Sequence, residues 1–159
     1  MIDTPHIART ATQRVAVIRL NVPRAEIRNV MGPGYQELMA TIAAQGVAAA
    51  GPWFTHHFRT PGETFDFELG VPVAAAILAA GRVQPGELRA TTVARTVYRG
   101  PYEGLGGAWA QFMEWIAAQG HSPDADLWEC YVAGPEFGSD RSKWQTELNR
   151  PLTRTMEKS

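Results

Sequence analysis

Glu129 is the residue of this 159-residue chain best placed by type to do chemistry. It stands between Trp128 and Cys130 in a run completed by Leu127, Tyr131 and Val132. A carboxylate in so apolar a strand is costly to desolvate without a partner. Strand alternation sets Glu129 and Tyr131 on one face and Trp128, Cys130 and Val132 on the other. Such a carboxylate could orient or deprotonate a water, with a tyrosine hydroxyl bonding an oxygen on which charge develops. The residues alone leave two places for it: a pocket, or a strand edge where it meets water or a structural ion pair. His56 and His57 suggest a metal by type, but neighbouring strand residues point to opposite faces and no third ligand is in view. No metal and no cofactor is therefore expected. Cys130 is the only cysteine, which excludes an internal disulfide and a Cys-rich metal site.

The elements that must position these residues come from a duplication. Ile-Ala-Ala-Gln-Gly occurs at residues 42–46 and again at 116–120, an offset of 74. The same offset pairs Met31 with Leu105, Tyr35 with Trp109, Leu38 with Phe112, Met39 with Met113 and Ile42 with Ile116. Every pair is bulky and apolar, and their steps mark one buried helix face that ends at Gly46 or Gly120. On this spacing Tyr35 and Trp109 belong to the core. Strands are expected over 5–10, 14–21, 53–59 and 64–71 in a first lobe, with a turn at Thr60-Pro61-Gly62-Glu63. A second lobe repeats the order with 87–99, a helix over about 101–119, and strands 127–132 and 143–149. The lobes then cover about 1–73 and 86–152, with a polar, frayed tail at 153–159. A second echo, Glu-Leu-x-x-Pro-aliphatic at 68–73 and 147–152, places Pro72 and Pro151 where they close their strands. The offset also matches Glu129 with Thr55, Tyr131 with His57 and Leu127 with Trp53.

Composition narrows the function classes. With 45% apolar residues and 19% charged, the chain suits one compact domain. A net charge of −1 and no Lys/Arg run argue against nucleic acid and anionic lipid as partners. The longest apolar run, 71–80, is too short to span a bilayer, so a cytoplasmic protein is expected. Gly104-Leu105-Gly106-Gly107 falls inside the second helix without the lysine of a phosphate loop, and reads as room for close packing of helix on sheet. The edge strand at 5–10 could pair between chains into a homodimer, or equally be capped by charge.

Gly51-Pro52-Trp53-Phe54, the run Glu68 to Val73, Gly100-Pro101-Tyr102, Trp128-Glu129-Cys130-Tyr131 and the run Glu147 to Leu152, in that order, resemble the GyrI-like small-molecule-binding domain. This family is related to the effector-binding domains of AraC-type and MerR-type activators. The resemblance runs from about 14 to 152. It implies an α+β fold of duplicated β-α-β-β lobes, one curved antiparallel sheet with two helices on one face and a ligand groove on the other. With no DNA-binding sequence beside it, it implies a stand-alone member. It further implies that Glu129 lies at the centre of the pocket facing cationic or polar ligand groups, and that Tyr102 reaches the ligand. Trp53, Thr55 and His57 are then expected to face Glu129 and Tyr131, with His57 where relatives commonly carry tyrosine. Phe67 and Trp144 are candidate walls, on which planar ligands and organic cations would stack.

Two function classes follow from the resemblance. The first is a protein that senses or sequesters amphipathic, cationic or polycyclic small molecules. The second is a hydrolase that opens the cyclopropane of duocarmycin-type alkylating compounds with Glu129, Tyr102 and Tyr131. Inhibition of DNA gyrase by protein contact, the activity of the family's founding member, is a third reading that no residue here supports.

Overall fold

The computed structural model describes residues 2–59, 62–133 and 140–153, the side chains of Arg28, Ala133 and Arg141 excepted. Thr60 and Pro61 of the expected turn, and the tail from 154, lie outside the described residues. The elements are β1 (His6–Arg9), β2 (Gln13–Pro23), α1 (Ile27–Ala44), β3 (Phe54–His57), β4 (Thr64–Pro72), β5 (Gln84–Leu88), β6 (Thr92–Arg99), α2 (Leu105–Ala118), β7 (Leu127–Ala133) and β8 (Gln145–Pro151). The strands pair antiparallel, so the fold is α+β with the β-α-β-β order repeated.

The chain divides into two compact units. Ala11–Ala90 holds α1 and the strand order β3-β4-β2-β5. Met1–Thr10 with Thr91–Ser159 holds α2 and the order β1-β6-β8-β7. This differs from the expected division near 73 and 86. β1 pairs with β6, from His6 with Arg95 to Arg9 with Thr92, and so completes the second unit. β5 pairs with β2 and completes the first. The stretch expected as one strand over 87–99 is two: the ladder stops at Leu88 and restarts at Thr92. Pro85 is tolerated in β5 because that strand has one neighbour only.

The duplication is carried into the backbone. Gly46 and Gly120 have φ of 70° and 78°, the left-handed conformation that ends a helix at little cost to glycine. The amide of Val47 donates to Ile42 O at 3.0 Å, and that of His121 to Ile116 O at 3.1 Å, which satisfies a terminal carbonyl in the same way twice. Pro72 and Pro151 end their strands, each accepting from the loop that follows the helix of its lobe: Ala50 N at 2.8 Å and Asp124 N at 2.8 Å.

Each helix buries the predicted face. Leu38 and Ile42 of α1 pack on Ile18, Phe67, Leu69 and Val71, with Met31 and Met39 at the margin. Phe112 and Ile116 of α2 pack on Ala94, Tyr98 and Leu148, with Leu105, Trp109 and Met113 beside them. The glycine-rich start of α2 is only partly a close approach. A Cβ on Gly104 would collide with the Tyr98 hydroxyl, whereas Gly106 and Gly107 are exposed with nothing within 4 Å. The tight helix-to-sheet contact lies in the other unit, where a Cβ on Gly34 would stand 2.5 Å from Leu69 Cδ2. No helix among the described residues is long and apolar enough to cross a membrane.

Candidate functional site

Register fixes which face Glu129 and Tyr131 occupy. Glu129 lies opposite Leu148 and Tyr131 opposite Thr146 on β8. Leu148 is fully buried beneath α2, so both residues point to the side that the helix covers. In the other unit Thr55 lies opposite Leu69 and His57 opposite Phe67, again on the helix side. The expectation that helices and site residues occupy opposite faces is therefore corrected. Alternation says which residues share a face; only the partners across the ladder say which face meets the helix.

Glu129 is held by two neutral donors. The Trp109 indole N–H, from α2, donates to Oε2 at 2.6 Å, and the Tyr131 hydroxyl donates to Oε1 at 2.8 Å. Burial of the carboxylate raises its pKa, and the two hydrogen bonds oppose that rise without cancelling it. No ion-pair partner of Glu129 is found among the described residues. Trp109 is a core residue by its helical spacing, and its ring packs at 5.6 Å from Phe112. Its second role had one signal in the sequence: a buried indole N–H needs an acceptor, and Glu129 is the only carboxylate of its strand.

Tyr102 comes from the single 3-10 turn Tyr102–Gly104 that leads into α2. The chain is aimed there by Gly100, whose φ of 141° suits glycine, and by the Tyr98 hydroxyl donating to Pro101 O at 2.8 Å. Its ring meets Tyr131 edge-on at 5.9 Å and Trp144 at 5.0 Å. Glu129, Tyr131, Tyr102, Trp144 and Trp109 thus form one cluster within one unit.

The remaining expected site residues form a second cluster in the other unit. Trp53 packs at 4.7 Å from Tyr35 of α1. His57 Nε2 and Thr55 Oγ1 are 3.2 Å apart, the counterpart of the Tyr131–Glu129 bond with a hydroxyl in place of the carboxylate. His57 stacks on Phe67 at 5.1 Å and meets Phe65 edge-on at 5.7 Å. Phe67 is fully buried, so it supports His57 from below. Desolvation, with a lesser contribution from nearby His56, pushes the His57 pKa down to about 4. The imidazole is neutral at physiological pH.

Other candidates fall away on geometry. His56 turns to the face opposite His57, where it lies 4.8 Å from Phe58. No group of three or more His, Cys, Asp or Glu able to hold a metal occurs among the described residues. Burial pushes the Cys130 thiol up to about 12, which keeps it protonated and unreactive.

Comparison with known proteins agrees with this architecture. Residues 3–152 match the GyrI-like small molecule binding domain. The C-terminal domain of EcmrR is similar in structure with a TM-score of 0.85 at 21% identity, covering 96% of this chain and 98% of that one. EcmrR in its DNA complex gives 0.84 at 22% identity, and this chain spans 58% of its length. SAV2435, solved with tetraphenylphosphonium bound, gives 0.65 at 11% identity with 95% and 94% covered. No curated protein matches the sequence.

Proposed function

Because the chain belongs to the GyrI-like small molecule binding domain family, we propose that it binds amphipathic organic cations bearing aromatic groups, with Glu129 as the counter-charge. The observation that carries this reading is the condition of the carboxylate. Both oxygens accept hydrogen bonds from neutral donors, and no cation answers its charge among the described residues. A desolvated carboxylate of this kind gains most from a ligand that brings positive charge with it. The rings of Tyr102, Tyr131, Trp144 and Trp109 offer faces that attract a cation and bury its apolar groups. SAV2435, a neighbour in fold, carries a ligand of this class. In a cell such a protein senses or sequesters drug-like compounds.

The test compares two probes of similar shape by tryptophan fluorescence: tetraphenylphosphonium, a cation, and triphenylphosphine oxide, which is neutral. Saturable quenching is expected for the cation at concentrations well below those the neutral probe needs. Equal response to both would remove the counter-charge role from Glu129.

One observation favours a second reading, turnover of a cyclopropane-bearing compound. The raised proton affinity of Glu129, beside a tyrosine hydroxyl 2.8 Å away, suits a general base with a hydrogen-bond donor at hand. Water would attack a ring carbon and pass its proton to Glu129 as the ring C–C bond breaks. The released electron pair would move to a conjugated carbonyl oxygen, bonded by Tyr102 or Tyr131. Mass spectrometry of a duocarmycin-type compound after incubation decides it, since this chemistry yields a water adduct and simple binding yields none.

A further inference from the structure

Thr146 lies within the Glu129 cluster, yet no part of the reading above uses it. It is fully buried on β8, directly opposite Tyr131 on one side and Tyr98 on the other, so it points to the helix face that carries Glu129. Trp144, two residues earlier on the same face, packs against Tyr102. The Thr146 Oγ1 atom has no hydrogen-bond partner among the described residues. A buried hydroxyl left unsatisfied lowers stability, and valine would fill the same volume without that cost.

The duplication sharpens the point. The counterpart of Thr146 in the first lobe, by the offset that matches Pro151 with Pro72, is Phe67, which is fully buried beneath the His57 ring. Where one lobe fills the position with a phenyl ring, the other has a small side chain and a free polar atom. The polar substitute lies in the lobe that carries the carboxylate.

We propose that the Thr146 hydroxyl is a second, uncharged recognition point beside Glu129, which seats a neutral hydrogen-bonding group of the bound compound. The favoured ligands are then aromatic cations that also carry a hydroxyl, ether or carbonyl oxygen, and a bare hydrocarbon cation leaves the hydroxyl unsatisfied. This rests on the reading of Glu129 as the counter-charge.

The test uses (4-hydroxyphenyl)triphenylphosphonium and tetraphenylphosphonium, which differ by one hydroxyl, on the wild-type protein, Thr146→Val and Thr146→Ser. The wild type should prefer the hydroxylated cation by about tenfold, the size of one well-made buried hydrogen bond. Thr146→Val should bind the two cations equally and unfold at a higher Tm, since it loses only an unsatisfied hydroxyl. Thr146→Ser should restore the preference. Equal affinities in the wild type, as when a structural water occupies the hydroxyl, would overturn the proposal, and so would a preference that survives in Thr146→Val. If neither cation binds the wild type, the reading of Glu129 fails and this proposal falls with it.

Discussion

Glu129→Gln separates charge from shape at the site. The amide has the length of the carboxylate, and the local hydrogen bonds can survive: Trp109 N–H can only donate, so it takes the amide oxygen, while the amide NH₂ turns to Tyr131, whose hydroxyl can accept. What disappears is one negative charge. An aryl-shielded cation holds its charge about 6 Å from the carboxylate, and at an effective dielectric constant of about 20 the attraction is roughly 3 kcal/mol. That corresponds to a loss of about 100-fold in affinity. Titration of wild type and Glu129→Gln with tetraphenylphosphonium, followed by tryptophan fluorescence, should show that loss. Triphenylphosphine oxide should lose no affinity, because it has no net charge for the carboxylate to attract. Equal losses for the two probes would mean that the substitution acts through packing, and the electrostatic argument would be refuted. A loss under about threefold for the cation would refute it as well. The folded protein should not suffer, since the raised pKa of Glu129 marks a charge that is less favourable in the fold than in the unfolded chain.

Four further substitutions follow from the structure. Trp109→Phe keeps a ring on α2 but removes the donor to Glu129 Oε2, which should raise the proton affinity of Glu129 further and weaken cation binding about fivefold, or roughly 1 kcal/mol, in the same titration. His57, with its pKa lowered to about 4, makes the folded protein bind fewer protons than the unfolded chain between about 4 and its ordinary value near 6.5. Its contribution is therefore whole above that window and lost as pH falls through it, by up to roughly 3 kcal/mol. Glu129 opposes this, because a raised pKa costs stability as pH rises through the carboxylate range. Urea unfolding at pH 4.5 and 7.5 should show His57→Phe gaining on wild type at the lower pH; a gain equal at both would contradict the assignment. The two glycine environments give opposite signs in thermal unfolding. Gly107→Ala, exposed and helical, should stabilise by about 0.5–1 kcal/mol, whereas Gly34→Ala drives a methyl into fully buried Leu69 and should cost about 1–3 kcal/mol.

The sequence made the repeated unit legible because a duplication writes one message twice. The helix faces, the glycine stops and the strand-closing prolines were all readable from the offsets, since each depends on residues close together in the chain. Strand partnership was not readable in the same way. That β1 pairs with β6 and β5 with β2 depends on contacts across more than sixty residues, and no local pattern distinguishes those partners from the neighbouring β2 and β6. The same limit hid the face of the site. Glu129 and Tyr131 were assigned to one side together, but their position beneath α2 is set by the register of β7 on β8, which places Leu148 and Thr146 beside them. The second role of Trp109 is hidden for a related reason: helical spacing identifies its core-packed ring and says nothing of the indole N–H at its edge.

Comparison of the lobes then tells more than either lobe alone. His57 with Thr55, and Tyr131 with Glu129, are the same two-residue strand step with the same side-chain bond, at 3.2 Å and 2.8 Å. The first pair is neutral and rests on the phenyl ring of Phe67. The second carries a carboxylate and lies beside the hydroxyl of Thr146. Packing requirements alone would keep both lobes alike, since each helix covers the same kind of strand surface. Positions 129, 131 and 146 are among those that differ, and there the other lobe has Thr55, His57 and Phe67, while a buried charge or an unsatisfied hydroxyl costs stability. On the proposed reading, a ligand rather than the fold accounts for the residues at these three positions.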